Sequence, residues 1–365
     1  MTDQPTPPEP AATGIGRRPR HVQWAALLAL SIVVVVPLEL TGFPAALLLG
    51  PMIAAIVLGV SDARVRVAQP LFMLAQGVIG LMMARALPSE IFVELVKDWP
   101  IYALGIGSVV VVAAGLGILL ARLKVLPGTT AIWGSAPGAA STIVIMADAF
   151  GADARLVAFM TYLRVVLVAL AASLVARFAV PEGAGPPPMN WLAPIAPIPF
   201  AETAAVLVVS LIAARLLKLP AGPIFLPIVV GTLLQNFAEL QIELPQILLA
   251  LSFAVVGWSI GLRFTRDILL HAWRALPAVF GSMVALILAC GALAFLLVWL
   301  AGVDPLTAYL ATSPGGADSV AIIAANSAVD VPFVMAMQAG RLLVVTVTGP
   351  ALARYIATRK WAQAL

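Results

Sequence analysis

The sequence has 365 residues, of which 62% are hydrophobic and only 10% are charged, and its mean hydropathy is +1.06. These values exclude an ordinary soluble globular protein and indicate a polytopic membrane protein. The net charge of +4 does not indicate a nucleic-acid partner, because the Lys and Arg residues stand singly or in small groups between apolar runs. The single cysteine, Cys290, excludes an intramolecular disulfide, and two histidines, His21 and His271, leave little for metal chemistry.

The N-terminal residues 1–20 are rich in Pro, Thr and Ala and end in a basic group, so we predict a disordered cytoplasmic tail. A first membrane repeat is predicted over residues 21–180. Its apolar runs are separated by short charged loops. The run without ionisable residues between Asp98 and Arg122, for example, is long enough for a helix that crosses about 30 Å of hydrocarbon.

A helix-breaking stretch with polar residues, Ser135 to Thr142, interrupts the apolar sequence of this repeat. Arg164 then lies near the middle of the next apolar run. Seven prolines within residues 181–199 predict a linker. A second membrane repeat is predicted over residues 200–358, with a C-terminal tail at residues 359–365.

The second repeat contains a similar stretch, Ser313 to Ser319, which reads SPGGADS. It follows the first at an offset of 177 residues, measured from Pro137 to Pro314, and Arg341 follows Arg164 at the same offset. The pairs Thr130 and Thr307, Asp153 and Asp330, and Met160 and Met337 also keep this spacing. The sequence therefore predicts a duplicated helical bundle.

Loop charge predicts how the two halves are oriented. The basic groups are residues 17–21, 62–66 and 122–124 in the first half and 215–218, 263–274 and 354–360 in the second. All of them face the cytoplasm only if the first half crosses the membrane an odd number of times. We therefore predict an all-α polytopic membrane protein of two inverted repeats, with about 10 transmembrane helices plus two Pro-Gly re-entrant hairpins and both termini in the cytoplasm. Six plus six crossings in parallel halves is the alternative.

Irregular backbone at membrane depth is tolerated only where it is buried in protein or lines a wet cavity, so both breaks predict a cavity. The half-helix that follows each Pro-Gly presents free N–H groups to an anion. Ser135 and Thr312 add polar groups at the same depth. The predicted substrate-binding residues are Pro137, Gly138, Ser141, Thr142, Arg164, Ser313, Pro314, Gly315, Gly316, Asp318, Ser319 and Arg341.

Three of these residues carry alternatives. Arg164 and Arg341 either recognise a carboxylate or brace the carbonyl groups of the breaks, since a charge in the membrane requires partners. Asp318 has no acidic counterpart, because position 141 is Ser. It is either a proton or sodium ligand or a helix N-cap.

Three runs of the sequence, Leu48 to Met52, Pro127 to Val168 and Ser313 to Ile323, resemble the bacterial AbrB-type duplicated membrane family. The resemblance covers about residues 40–357, and family members are labelled regulators of gene expression or ammonia monooxygenases. The paired hairpins also look like those of sodium/glutamate symporters and 2-hydroxycarboxylate carriers, which implies elevator-type transport. Family hairpins often carry Glu shortly after the Gly pair, where this chain has Thr142 and Ser319.

These features favour a secondary transporter of a small solute, an organic anion, in the bacterial inner membrane. A membrane regulator of gene expression is the alternative. An ammonia monooxygenase ranks last, because His21 lies in the tail and His271 in a basic loop, so we expect no enzyme. We expect no cofactor, with Na⁺ or H⁺ as candidate coupling ions. The expected partners are the lipid bilayer and a small-molecule solute but no nucleic acid, and the sequence leaves a homodimer open.

Overall fold

The computed structural model describes residues 14–43, 45–123, 130–135, 144, 147–148, 150–179, 191, 194–219, 221–325 and 327–357. This part of the chain is helical and contains no strand. After a short 3-10 turn at Gly14–Arg17, the helices are α1 (Arg20–Leu40), α2 (Ala46–Val60), α3 (Gln69–Arg85), α4 (Glu90–Lys97), α5 (Trp99–Arg122), α6 (Thr130–Ser135), α7 (Ala154–Ala179), α8 (Pro197–Leu217), α9 (Gly222–Phe237), α10 (Gln246–Gly261), α11 (Arg266–Ala272), α12 (Leu276–Ala301), α13 (Pro305–Thr312), α14 (Ala317–Ala325) and α15 (Val331–Ala357).

Five of the described helices, α1, α5, α7, α8 and α12, are long and apolar enough to cross a bilayer. The count is six if α10 and α11, which are bent by 52°, form one span. Large apolar side chains point outward from these helices, for example Ile32 at 62%, Val111 at 69% and Leu288 at 68% exposure. Such a surface is suited to lipid.

Fewer of the described helices are long enough to span a bilayer than the expected number of about ten. Helices α2, α3, α9 and α10 have only 15 to 17 residues. They are therefore about 23–26 Å long at 1.5 Å per residue. Helix α2 contains Pro51 and continues through it.

The helices pack as two groups. The first group contains α1, α2, α3, α8, α9 and α10, and the second contains α5, α6, α7, α12, α13, α14 and α15. Within the first group, α2 packs on α10 and α3 packs on α9, so each contact joins the two halves of the sequence.

Two glycines explain how closely these short helices approach each other. A Cβ atom on Gly80 would lie 2.5 Å from the carbonyl oxygen of Ile224, and one on Gly257 would lie 2.6 Å from that of Leu48. Gly80 and Gly257 are related by the offset of 177 residues. The same backbone contact is therefore made twice, once from each half.

The second predicted break is present between two short helices. Asp304 caps α13, its Oδ2 accepting hydrogen bonds from the N–H groups of Leu306 at 3.1 Å and Thr307 at 3.0 Å. The chain leaves the helix at Ser313 and resumes it in α14. Farther along, the N–H of Asp330 donates to Thr307 Oγ1 at 3.1 Å. The segment thus returns to the point from which it started.

The first break shares this framework in its described parts. Helix α6 ends at Ser135, and the N–H of Asp153 donates to Thr130 Oγ1 at 3.2 Å, as Asp330 does to Thr307. Pro137, Gly138, Ser141 and Thr142 lie outside the described residues.

Candidate solute site at the second helix break

The second break is held between α12 and α15. The hydroxyl of Thr312, the last residue of α13, donates to the carbonyls of Ala308 at 2.9 Å and Cys290 at 3.3 Å, which anchors the helix end to α12. Pro314 has no N–H and cannot continue the helix. Pro314, Gly315 and Gly316 are half-buried, so the turn between the helices is partly accessible.

Arg341 on α15 reaches this turn although it is only 8% exposed. Its Nη1 donates to the carbonyl oxygen of Ser313, and its Nη2 donates to that of Gly315 at 2.6 Å. These bonds correspond to the bracing role that the sequence offered as one of two alternatives. A guanidinium group has five N–H donors, so the two carbonyls do not use all of them.

Gln338, one helical turn before Arg341, was not among the predicted site residues. It is fully buried, and its Nε2 donates to the carbonyl of Leu310 at 2.7 Å. Its Oε1 is buried without a hydrogen-bond partner in the described part of the chain. A signal for Gln338 was present in the sequence, because it is a lone amide side chain in an apolar helix. It precedes Arg341 by three residues, so the two side chains lie on the same face of the helix.

Serine side chains add further polar groups at the break. Ser313 is fully buried, and its hydroxyl has no hydrogen-bond partner among the described residues. The hydroxyl of Ser319 donates to the carbonyl of Gly316 at 3.2 Å in the first turn of α14. Asp318 is the second residue of α14, and its side chain lies outside the described part.

The first half of the chain contributes α7 to this region. A Cβ atom on Gly315 would lie 2.9 Å from Val168 Cγ1, so the turn packs directly on α7. Arg164 on the same helix is 6% exposed and lies within electrostatic range of Arg341 and Cys290. Arg164 of the first half and Arg341 of the second half are therefore near each other.

Charged loops from both halves meet at another part of the surface. The Oε1 of Gln23 accepts from the N–H of Arg64 at 2.8 Å, and Arg266 Nη1 lies 3.9 Å from Asp62 Oδ2. Burial and the nearby charge of Arg263 lower the pKa of Arg66. Three segments therefore lie on one face of the protein: the start of α1, the loop after α2 and the loop after α10.

Asp153, at the start of α7, lies close to α11. His271 Nε2 is 2.6 Å from Asp153 Oδ2, and Asp153 Oδ1 accepts from the N–H groups of Arg155 and Leu156, each at 3.0 Å. Burial acts to raise the pKa of Asp153, but the hydrogen bonds and the His271 charge outweigh it and lower this pKa.

The sequence is similar to known proteins over most of its length. The model of a family described as "Transition state regulatory protein AbrB" matches residues 47–357. An Escherichia coli (strain K12) protein named "Putative regulator AbrB" is 42% identical over 339 residues, which cover 92% of this chain and 97% of that protein.

Proposed function

The chain belongs to the AbrB family, and we propose that it is a secondary transporter of a small organic anion in the bacterial inner membrane. One observation carries the proposal. Beside the buried Arg341, two buried acceptors at the broken helix, Ser313 Oγ and Gln338 Oε1, have no hydrogen-bond partner in the described chain. Buried polar groups are nearly always paired, and a bound solute would pair them.

The proposed architecture is two inverted repeats with ten crossings and two re-entrant hairpins. The paired contacts of Gly80 and Gly257 and of Thr130 and Thr307 support the duplication. The hydrogen bond between Asp330 and Thr307 supports a hairpin that leaves on the face where it entered. The loops after α2 and α10 lie on one face of the protein. This supports two halves of opposite orientation in the membrane, with the basic loops in the cytoplasm.

The two helix groups support an elevator-like movement. Both breaks belong to the group of α5–α7 and α12–α15, whereas α1–α3 and α8–α10 form the other group. The second group would carry the solute past the first, as in carriers built from inverted repeats.

The sign of the solute follows from the charges at the break. Arg164 and Arg341 are both buried, and a charge at this depth costs at least about 2.5 kcal/mol unless it has partners. The positive end of the α14 helix dipole also favours an anion at this point. Na⁺ or H⁺ would supply the coupling, and no cofactor and no enzymatic reaction form part of the proposal.

Uptake by proteoliposomes tests the proposal. Radiolabelled mono- and dicarboxylates would be supplied with an inward Na⁺ or H⁺ gradient, to wild type and to the variants Arg341→Gln, Gln338→Leu and Ser313→Ala. We expect concentrative uptake by the wild type and a loss of about tenfold or more in Arg341→Gln, since hydrogen bonds to charged groups contribute about 1.5–3 kcal/mol. Arg177→Gln, an exposed arginine on α7, is the matched control and should transport normally.

A membrane regulator of gene expression is the second candidate, favoured by the names of the family and of the Escherichia coli relative. Absence of uptake across the whole panel, with both gradients and with intact protein, would contradict transport and favour this candidate. Transport by wild type that Arg341→Gln leaves unchanged would instead remove the site from the proposal.

A further inference from the structure

A cavity of about 590 Å³ lies at the base of the second break, away from the turn at Ser313. It is lined by the end of α4, the start of α5, the loop before α13 and the loop before α15. Among the described lining residues there are four carboxylates and no Lys or Arg; the acidic residues are Glu94, Asp98, Asp304 and Asp330. A ligand that binds in this cavity should therefore be cationic.

Two of these carboxylates accept hydrogen bonds from backbone N–H groups. Asp304 caps α13, and Asp330 Oδ1 accepts from the N–H of Phe333 at 3.0 Å. Glu94 and Asp98 form no ion pair in the described part of the chain. They are consequently the acidic side chains available to a ligand.

Tyr102 supplies an independent observation that indicates a ligand. It lines the cavity and is only 4% exposed, yet its hydroxyl has no hydrogen-bond partner among the described residues. The hydroxyl lies within electrostatic range of Glu94, Asp330 and Asp98. A buried phenol beside carboxylates normally finds a partner, because leaving it unpaired is costly.

The size and walls of the cavity restrict the ligand. A volume of about 590 Å³ is in the range of small-molecule sites, about 300–1,000 Å³, and far exceeds the volume of a single water or bare ion. The Tyr102 and Phe333 rings, with centroids 5.3 Å apart, form an aromatic wall. Ammonium groups combine N–H donors for carboxylate and phenol oxygens with attraction to aromatic faces.

We propose that this cavity is a binding site for an organic ammonium compound, held by Glu94 and Asp98, by the hydroxyl of Tyr102 and by the adjoining aromatic wall. The site is separate from the anion site at Ser313 and does not require that the protein transport anything.

Isothermal titration calorimetry on the full-length protein in detergent tests this site. The probes are spermidine, putrescine and methylammonium, with NaCl and CaCl₂ as inorganic cations. The variants are Glu94→Gln, which is exposed and should fold, and Tyr102→Phe, which keeps the ring on Phe333 and removes only the hydroxyl. Glu90→Gln, on the same helix but outside the cavity, is the matched control.

We expect saturable binding of at least one amine, weakened about tenfold by Glu94→Gln and about fivefold by Tyr102→Phe, with Glu90→Gln equal to wild type. Three results would overturn the proposal. They are no amine binding by folded wild type, equal weakening by Glu90→Gln and Glu94→Gln, or Na⁺ or Ca²⁺ binding as tightly as every amine.

Discussion

Each break has a base, the place where the chain enters and leaves it. The first base contains Thr130, Asp153 and His271, and the second contains Thr307, Asp330 and Glu94. The two bases share one backbone framework but carry different charges. In each, an Asp N–H donates to a Thr hydroxyl, with Asp153 on Thr130 at 3.2 Å and Asp330 on Thr307 at 3.1 Å. The position one repeat from His271 is Glu94. At the first base His271 is 2.6 Å from Asp153, whereas at the second base Glu94 and Asp330 both line a cavity.

The difference lies in the side chain at equivalent positions of the two bases. At the first base, the contact between His271 and Asp153 holds α11 against α7. At the second base, the carboxylates of Glu94 and Asp330 line an acidic cavity. A single position, His271 in one half and Glu94 in the other, therefore distinguishes a base held by a side-chain pair from a base with an acidic cavity.

The largest effect is expected from converting the second base into the first. Glu94→His places an imidazole opposite Asp330 and removes one negative charge from the cavity. We expect a histidine–aspartate pair to form and amine binding to weaken tenfold or more, about 1.4 kcal/mol. Titration of spermidine measures the affinity. Unchanged affinity in Glu94→His would contradict the comparison.

The shared framework predicts a smaller effect in the same direction in both halves. Thr130→Val and Thr307→Val keep the side-chain shape but remove the hydroxyl that accepts from the Asp N–H. Each should lower the free energy of unfolding by about 1 kcal/mol, because the N–H loses its partner. The effect of Thr307→Val should be the larger one, because the Thr307 hydroxyl also donates to Asp304 Oδ2 at 3.2 Å. Thermal unfolding in detergent compares the two. A large effect in one half and none in the other would show that the frameworks are not equivalent.

The contact between His271 and Asp153 at the first base predicts a modest loss of stability on substitution. His271→Gln removes the imidazole that lies 2.6 Å from Asp153 Oδ2, and this partly exposed pair contributes at most about 1 kcal/mol. The unfolding temperature should fall by about 2 °C. Glu94→Gln at the equivalent position serves as the control, since removing one of two like charges should not destabilise the protein. The comparison is wrong if both variants destabilise it equally.

The smallest effect is a dependence on pH. The pKa of Asp153 is lowered in the folded protein, so its contribution to stability is complete above its unfolded pKa of about 3.9 and is lost as the pH falls through the folded value. Asp153→Asn should therefore be less stable than wild type near neutral pH, and the difference should shrink as the pH approaches 3. Unfolding temperatures of both proteins across this range check the trend.

Local sequence patterns predicted the elements whose physics is local. The apolar runs, the break at Ser313 to Gly316 and the duplicated positions were predicted because hydrophobicity, Pro and Gly act on neighbouring residues. The equal spacing of Arg164 and Arg341 from the two breaks was the sequence feature that drew attention to both arginines. Bracing of the break by Arg341 remained one of two alternatives, since a sequence does not show which acceptors a guanidinium reaches.

The contacts that could not be predicted from the sequence join residues that are far apart along the chain. His271 and Asp153 are separated by 118 positions, and Glu94 is far along the chain from Asp304 and Asp330, with which it lines the cavity.

The proposed inverted repeats place the two bases on opposite faces of the membrane, and cysteine labelling tests this placement most directly. In a Cys290→Ser background, single cysteines at the exposed positions Arg155 and Ala328 mark the first and second base. A membrane-impermeant maleimide added to intact spheroplasts should label Ala328→Cys, and should label Arg155→Cys only after permeabilisation. Labelling of both positions from the same face would contradict the account.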